Sequence, residues 1–276
     1  MGQERIIHAA LLGAGTVGSG VYKLVKDLEE EIISKTGARL VVDKILVRDT
    51  TKAREGIPSE LLIDRWDEIL NDPQIEIVIE VMGGIRPALT WLEEALRAGK
   101  QVVTANKDLL AEYGEQLFDA AEAGKCDLHF EAAVAGAIPI IRPLRQSLVA
   151  SELTEVMGIV NGTTNYILTR MTEDGMGYEE ALALATKLGY AESDPTADVE
   201  GYDAGRKVAI MASIAFNSNV TFSQVYTEGI THITAEDIRY AKEFGYVIKL
   251  IGMTRLTEGG VEVKVHPMLL PEQHPL

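Results

Sequence analysis

The sequence has few cysteines, few basic residues and no long apolar runs, and each shortage excludes a class of protein. One cysteine, Cys126, among 276 residues excludes a disulfide framework within the chain and fits a reducing, cytoplasmic setting. Lys and Arg number 26 against 42 Asp and Glu, and the net charge of −16 argues against nucleic acid and anionic membranes as partners. No apolar run reaches membrane-spanning length, and the N-terminus lacks the apolar stretch of a secretory signal.

The residues that are present suffice for two domains with sizeable cores. Hydrophobic residues make up 46% and charged residues 25% of the chain, the balance of an ordinary globular protein. A length of 276 residues exceeds that of most single domains. We therefore expect two domains, residues 1–138 and residues 139–276.

A glycine-rich motif near the start indicates a dinucleotide site. The apolar run Ile6–Leu12 precedes it and a helical pattern of apolar residues follows it, which is the context that the G-x-G-x-x-G fingerprint requires. The motif consists of Gly13, Ala14, Gly15, Thr16, Val17 and Gly18. Gly13 permits the tight turn, Gly15 lets the backbone approach a pyrophosphate, and Gly18 lets helix and strand pack closely. The free N–H groups of the helix start then bind the anion.

Strand and helix patterns alternate through the first half. Further strand patterns cover Leu40–Val47, Ile75–Val81, Lys100–Thr104 and Cys126–Phe130. Helical patterns cover Pro87–Ala98 and Leu109–Ala123. The alternation predicts a Rossmann-type, doubly wound parallel sheet whose ligands bind at the carboxyl ends of its strands.

The loop after the second strand bears on the choice between NADP and NAD. Arg48 is suited to pair with a 2′-phosphate, which favours NADP, while Asp49 is suited to ribose hydroxyls, which favours NAD. The nearby Lys52 and Arg54 fit either a phosphate site or an ordinary charged surface. We favour NADP and leave NAD open.

Other strand ends supply further candidate cofactor contacts. Gly83-Gly84 allows close backbone approach to a cofactor or forms a routine turn. Thr104 ends the next strand, and Asn106 suits a helix N-cap. Lys107 then stands in the first helical turn, where the helix dipole disfavours a cation. A residue placed against this local rule, at the binding edge of a sheet, suggests function.

The densest pattern of charged residues lies in the second half. Lys207 follows Asp203 by four residues and, by helical spacing, shares a face with Ile210, Met211 and Ile214. An exposed ion pair at this spacing would contribute little to stability. The apolar neighbours instead favour a partly desolvated amine that can serve as an acid–base group. The carboxylates before this lysine are Glu192, Asp194, Asp198, Glu200 and Asp203.

This stretch resembles, position for position, the signature of homoserine dehydrogenases. The matching positions are Ala185, Gly189-Tyr190-Ala191, Asp194-Pro195, Asp198-Val199, Gly201, Asp203 and Lys207. The resemblance implies hydride transfer between NAD(P)(H) and L-homoserine, giving L-aspartate 4-semialdehyde, in threonine, methionine and isoleucine biosynthesis. It further implies that Lys207 transfers the proton, that Lys107 orients and polarises the substrate oxygen, and that Glu192 and Asp203 hold the substrate.

The resemblance also implies a monovalent cation site for sodium or potassium. In that family a glutamate and nearby backbone carbonyls bind the ion, and the matching positions here are Glu131, Val134, Gly136 and Ile138. From the residues alone, the small side chains before Pro139 indicate a hinge, in which a buried glutamate needs a partner.

The remaining patterns predict a smaller α+β domain for catalysis and dimerisation. Helical patterns cover Pro139–Val149, Tyr178–Leu188, Val208–Phe216 and Ala235–Phe244, and strand patterns cover Glu152–Val160, Val247–Leu256 and Val261–His266. A further helix opens at Asn161, with Thr163 as a candidate cap. By analogy with the resembling family, these elements form a mostly antiparallel sheet that carries a homodimer interface.

Other functions share some of these sequence features. Aspartate-semialdehyde dehydrogenase needs a nucleophilic cysteine, and Cys126 opens a predicted buried strand instead. A divalent metal at the carboxylates is disfavoured because Lys207 would compete with the ion. A non-catalytic dinucleotide sensor or an inactive fragment stays open. Homoserine dehydrogenases normally continue past a stretch like His274-Pro275-Leu276, often into a regulatory domain of the ACT type.

Overall fold

The structure is a computed structural model that describes residues 5–276. The expectation that the N-terminus carries no secretory signal falls partly on residues 1–4, which lie outside the described residues. The contacts divide the chain into two compact units, Met1–Gly136 and Ala137–Leu276. Each unit has its own sheet.

The first unit is built around a six-stranded sheet in which every pair of neighbouring strands is parallel. Its strands are β1 (Arg5–Leu12), β2 (Ala38–Leu46), β3 (Leu62–Ile63), β4 (Ile75–Glu80), β5 (Gln101–Thr104) and β6 (Leu128–His129). They are arranged in the order β3-β2-β1-β4-β5-β6, that of two joined mononucleotide-binding halves. The predicted doubly wound parallel sheet is confirmed.

Five α-helices lie between the strands of the first unit along the described chain. They are α1 (Thr16–Asp27), α2 (Glu29–Thr36), α3 (Asp67–Leu70), α4 (Ala88–Arg97) and α5 (Lys107–Gly124). The longest of them, α5, has 18 residues. Within residues 5–276, no helix is both long enough and apolar enough to cross a membrane.

The second unit contains a smaller sheet of four strands. These are β7 (Glu155–Gly158), β8 (Tyr226–Thr227), β9 (Tyr246–Thr257) and β10 (Gly260–Pro271), in the order β7-β9-β10-β8. Strand β9 pairs antiparallel with both β7 and β10, while β8 pairs parallel with β10. The prediction of a mostly antiparallel sheet is confirmed.

Helix α9 positions the candidate catalytic residues against this sheet. The helices of the unit are α6 (Gly162–Asp174), α7 (Tyr178–Lys187), α8 (Thr196–Val199), α9 (Tyr202–Ala215) and α10 (Ala235–Glu243). A Cβ atom added to Gly252 of β9 would lie 2.4 Å from a methyl group of Val208. Helix α9 therefore packs closely on β9 because Gly252 has no side chain.

One predicted helix in this unit is shorter than expected. Within Pro139–Val149, residues 141–147 are helical, and Pro143–Ser147 is of the π type. Pro143 lacks an N–H group, so a helix tolerates it only near its start. The helix accordingly begins just before Pro143 and ends at Ser147.

Candidate functional site

The glycine motif forms the turn between β1 and α1, and its shape suits a pyrophosphate. Gly13 has φ of 100°, and its N–H donates to the carbonyl of Leu46 on the neighbouring strand at 3.0 Å. A Cβ atom on Gly18 would lie 2.1 Å from the carbonyl oxygen of Gly13, so the helix reaches the turn only because this residue is glycine. A Cβ atom on Gly15 would meet no atom within 4 Å. The backbone at Gly15 is therefore open to a ligand.

The start of α1 has the properties of an anion site. No side chain caps the helix at Gly15, and its first turn contains no acidic residue. Ala14 is half-buried, while Thr16 and Val17 are exposed. Uncapped N–H groups at a helix start attract phosphate through their hydrogen bonds and through the helix dipole. These residues fit a dinucleotide, and their contacts with one stay a prediction.

A buried carboxylate at the end of β4 shapes the next loop. Glu80 is fully buried and accepts hydrogen bonds from the N–H groups of Met82 (2.8 Å) and Gly83 (3.1 Å) and from the Thr104 hydroxyl (2.6 Å). These donors offset the cost of burying its charge. The Thr104 hydroxyl thus supports the loop, and the residue's contact with a cofactor stays a prediction. Sequence reasoning missed Glu80, although an acidic residue that ends an apolar strand was the available signal.

Asn106 connects this loop to α5. Its side-chain N–H donates to the carbonyl of Gly84 (2.6 Å), and its Oδ1 accepts from the N–H of Leu109 (3.1 Å). The predicted N-cap is therefore confirmed. Lys107 is the first residue of α5 and is half-buried, so its predicted place in the first turn is confirmed and its role stays a prediction.

In the loop after β2, the residues that bear on cofactor choice differ in their hydrogen bonds and exposure. Asp49 Oδ1 accepts hydrogen bonds from the hydroxyl (2.6 Å) and the N–H (2.9 Å) of Thr51. Both bonds lower the pKa of Asp49, and the bond from the hydroxyl has the larger effect. Arg54 donates to the carbonyls of Asp49 (3.1 Å) and Lys52 (2.8 Å). Arg48 is exposed directly after β2. Asp49 and Arg54 therefore form hydrogen bonds within the loop, whereas the side chain of Arg48 is exposed.

The segment predicted to bind a monovalent cation has an unusual backbone. Glu131 begins a short 3-10 turn, Val134 is buried, and the side chain of Ile138 is exposed. Ala135 and Ala137 have φ of 51° and 68°, values uncommon for residues with a side chain. Within residues 5–276, no group of three or more His, Cys, Asp or Glu side chains is arranged to hold a metal ion. The cation site stays a prediction.

Lys207 and Asp203 form a largely buried pair on successive turns of α9. The Nζ atom of Lys207 lies 2.5 Å from Asp203 Oδ2 and 2.8 Å from the carbonyl oxygen of Val160. The two side chains are 18% and 11% exposed. The partly desolvated amine expected from the apolar helix face is therefore present, and the exposed ion pair that the spacing also allowed is excluded.

Asn161, to which we assigned no contact from the sequence, lies at the centre of this network. Its Nδ2 donates to Asp198 Oδ1 (2.6 Å) and to Asp203 Oδ2 (3.0 Å). Its Oδ1 accepts from the N–H of Thr164 (2.8 Å), so Asn161 caps α6 and the prediction of Thr163 as the cap is wrong. Asparagine is among the best N-cap residues. The Thr163 hydroxyl instead donates to the carbonyl of Tyr190 (2.8 Å).

The other predicted carboxylates occupy different positions. Glu192 is exposed and, within residues 5–276, forms no hydrogen bond with Lys207 or Asp203. Asp194 accepts a hydrogen bond from the N–H of Thr196 at 3.1 Å. Hydrogen bonds from the hydroxyl and the N–H of Thr196 lower the pKa of Asp194, and the bond from the hydroxyl has the larger effect. Of the predicted substrate-binding pair, only Asp203 therefore belongs to the network.

Cys126 has the surroundings of a structural residue. Its thiol donates to the carbonyl of Leu96 (3.2 Å), and burial raises its pKa. A raised pKa reduces the thiolate fraction that nucleophilic chemistry requires. This agrees with the exclusion of a cysteine-dependent dehydrogenase.

Family comparisons match both units. Residues 13–131 match the model described as "Homoserine dehydrogenase, NAD binding domain", and residues 139–276 match the model described as "Homoserine dehydrogenase". The chain belongs to the homoserine dehydrogenase family. The two matched ranges fall in the first and second units, respectively, so the family relationship covers both sheets.

Individual relatives support this assignment along almost the whole chain. The chain is 50% identical over 280 residues to a homoserine dehydrogenase of Mycobacterium tuberculosis and 47% identical over 273 residues to one of Bacillus subtilis; these alignments cover 100% and 99% of the chain. A solved homoserine dehydrogenase from Thiobacillus denitrificans superposes with a TM-score of 0.92 at 45% identity, covering 98% of this chain and 63% of that one. The chain also spans 63% of the length of both curated relatives.

Proposed function

We propose that the chain carries out the homoserine dehydrogenase reaction, the NAD(P)-dependent interconversion of L-homoserine and L-aspartate 4-semialdehyde. The observation that carries the proposal is the Lys207–Asp203 pair, with Nζ 2.5 Å from the carboxylate and largely shielded from water. An amine held in this way is a suitable proton donor and acceptor. Family membership supports the choice of substrate.

Lys207 is the proposed proton-transfer group, and counting its hydrogen bonds gives a physical basis for the role. A neutral amine has two N–H groups and one lone pair, whereas a charged one has three N–H groups. Within the described residues, Nζ donates to Val160 O and to Asp203 Oδ2. The lone pair of the neutral amine can then take the hydroxyl proton of homoserine while hydride leaves the carbon that bears this hydroxyl. In the reverse direction, the third N–H of the charged amine donates to the aldehyde oxygen.

The remaining substrate contacts rest on residue chemistry and on the family resemblance. The ammonium group of L-homoserine suits a carboxylate, so we assign Glu192 and Asp203 to hold the substrate. The side chain of Glu192 is exposed and accessible to a ligand, while Asp203 accepts a hydrogen bond from Lys207. Lys107, at the start of α5, is assigned to orient and polarise the substrate oxygen.

The first unit is the proposed cofactor domain. Main-chain N–H groups at Gly15 and the following turn would hold the pyrophosphate of NADP or NAD, with the backbone at Gly83 and Thr104 as further proposed contacts. The bound nicotinamide accepts or supplies the hydride. We favour NADP because Arg48 is exposed at the end of β2, whereas the carboxylate of Asp49 is engaged by Thr51.

Three further assignments rest on the resemblance. These are a sodium or potassium site at Glu131, Val134, Gly136 and Ile138, a homodimer, and a place in the cytoplasm within threonine, methionine and isoleucine biosynthesis. The single cysteine and the net charge of −16 are consistent with the last of these.

The deciding experiment follows the absorbance of reduced nicotinamide after L-homoserine is added to the chain with NADP⁺ or NAD⁺. We expect turnover with at least one cofactor, and none with L-serine, whose shorter side chain places the hydroxyl elsewhere. Calorimetric titration with each cofactor provides the control for an intact first unit. Cofactor binding without homoserine-dependent reduction would contradict the proposal and select the dinucleotide sensor or an inactive fragment.

A further inference from the structure

We propose that Asn161 is a positioning residue whose single side-chain amide group bridges two carboxylates and thereby fixes the Lys207–Asp203 pair. Its effect on turnover rests on the proposed function, whereas its effect on the pair itself does not. The residue is 5% exposed, and both ends of its side chain are hydrogen-bonded. We expect the identity of this side chain, and not only its capping of α6, to determine where the amine of Lys207 lies.

All four hydrogen-bonding positions of the Asn161 amide are in use. The two N–H groups of Nδ2 donate to Asp198 (2.6 Å) and to Asp203 (3.0 Å). The two acceptor positions of Oδ1 take the N–H and the hydroxyl of Thr164, each at 2.8 Å. An amide has two donors and two acceptor positions. A rotation that exchanges Oδ1 and Nδ2 would place Oδ1 against both carboxylates and Nδ2 against the N–H of Thr164, so the orientation of the amide is fixed.

The position requires a group with two donors. Asp198 and Asp203 approach one nitrogen from different elements, and two carboxylates this close repel each other unless donors lie between them. An asparagine amide supplies both donors without adding a charge. Serine has a single donor, and aspartate would add a third carboxylate to the same place.

Val160, the residue before Asn161, also holds the Lys207–Asp203 pair, through its main-chain carbonyl. Lys207 Nζ donates to the carbonyl of Val160, while Asn161 holds Asp203 through its side chain. Asp203 Oδ2 accepts from both Lys207 and Asn161. Adjacent residues between β7 and α6 therefore hold both members of the pair on α9, and a displacement of the Asn161 side chain moves Asp203 and the amine together.

Capping and bridging can be separated by substitution. Serine and aspartate are N-cap residues about as good as asparagine, so Asn161→Ser and Asn161→Asp retain an acceptor for Thr164 while they remove the bridge. Asn165→Ser is the matched control on the next turn of α6. Asn165 Oδ1 accepts from Lys249 (2.9 Å), a lysine outside the proposed catalytic pair.

The first readout does not depend on activity. Limited acetylation of the full chain, followed by peptide mass spectrometry, measures the reactivity of each lysine amine. We expect acetylation of Lys207 to rise several-fold in Asn161→Ser, which removes the bridge without adding a charge, with Lys249 unchanged. Asn165→Ser should give the reciprocal result, with Lys249 more reactive and Lys207 unchanged. Wild-type acetylation of Lys207 in Asn161→Ser would overturn the proposal.

The second readout is kinetic. We expect kcat to fall about 10- to 100-fold in Asn161→Ser, because a displacement of about 1 Å at a catalytic group costs this much. The decrease should be larger in Asn161→Asp, and the pH profile of kcat should change shape in both variants, whether or not Tm falls with the loss of the two buried hydrogen bonds. A loss of Tm with an unaltered pH profile would assign Asn161 to capping alone and contradict the proposal. If the wild type itself does not oxidise homoserine, the proposed function fails and the acetylation still decides the bridge.

Discussion

The two units prepare their candidate sites by different means. The first presents main-chain N–H groups at Gly15 and the start of α1, and the shape of its turn depends on the absence of side chains at Gly15 and Gly18. The second positions side chains, with Asn161, Asp203 and Lys207 fixed by hydrogen bonds of 2.5 to 3.0 Å. A main-chain site should tolerate many substitutions around it but no added Cβ at its closest approach. A side-chain site should fail when one functional group is removed although the fold survives.

Removal of the Lys207 amine should produce the largest effect. We expect Lys207→Ala to lower turnover by roughly two to four decades, the usual contribution of general acid–base catalysis. Dinucleotide binding, measured by calorimetry, should persist because the glycine turn belongs to the other unit. Lys207→Arg should not restore the rate, since a guanidinium keeps its proton in this pH range. Near-normal turnover with a raised KM would instead indicate that Lys107 is the proton-transfer group.

The preference for NADP should depend on Arg48. A charge-assisted hydrogen bond to the 2′-phosphate contributes about 1.5–3 kcal/mol, so Arg48→Ala should weaken NADPH about 10- to 100-fold relative to NADH. Lys52→Ala is the matched control, because Lys52 is an exposed cation in the same loop. Calorimetric dissociation constants for both cofactors check the prediction. Equal weakening of the two cofactors would make Arg48 an ordinary surface charge.

Two glycines of the turn should respond differently to the same substitution. Gly18→Ala places a Cβ atom 2.1 Å from the Gly13 carbonyl, and overpacking of this kind costs about 1–3 kcal/mol of unfolding free energy. Gly15→Ala meets no atom within 4 Å, so the fold should persist while dinucleotide affinity falls about tenfold or more. Thermal unfolding and calorimetry separate the two effects. A stable Gly18→Ala variant with normal affinity would refute the close-packing argument.

The cation site should give a smaller, salt-specific effect. Potassium or sodium should raise Tm by preferential binding to the folded chain, and Glu131→Ala should abolish that rise. Choline chloride at equal ionic strength is the control for general screening. The same response in wild type and variant would leave the segment as a hinge without an ion.

The smallest effect concerns Lys249, a half-buried lysine outside the proposed catalytic pair. Burial lowers the pKa of Lys249, and Glu173 opposes this only in part. Near and below its ordinary value of 10.5, the unfolded chain therefore binds more protons than the folded one, and the free energy of unfolding should rise with pH in that range. Lys249→Met should flatten this rise in urea titrations at several pH values. An unchanged slope would show that Lys249 titrates alike in both states.

Local patterns predicted much of the fold and part of the site. Hydrophobic periodicity and the glycine spacing identified five of the six strands in the first unit, and Asn106 was recognised as an N-cap because capping depends on neighbours three residues away. Lys207 was identified from the apolar face of its own helix. Each of these signals lies within a few residues along the chain.

Features that depend on distant residues were missed. Asn161 lies 37 and 42 residues from Asp198 and Asp203, and no spacing rule connects positions so far apart. Glu80 and Thr104, 24 residues apart, are another such pair. Strand β3 has two residues, too few to show a period. The helix predicted over Pro139–Val149 is shorter in the structure, because a pattern of apolar residues does not show that Pro143 lacks an N–H group.

The hydrogen bonds of Asn161 also bear on the chemical ageing of the protein. Asn161 precedes Gly162, and an asparagine followed by glycine is prone to deamidation. The following backbone nitrogen attacks the side-chain amide carbon and expels ammonia, and water then opens the cyclic imide to aspartate or isoaspartate. The folded chain restrains this reaction because both ends of the side chain are bonded. Each excursion to the unfolded state removes the restraint. Peptide mass spectrometry of protein stored with and without mild urea should therefore find deamidation at Asn161 mainly in urea, and the aspartate product is the Asn161→Asp variant.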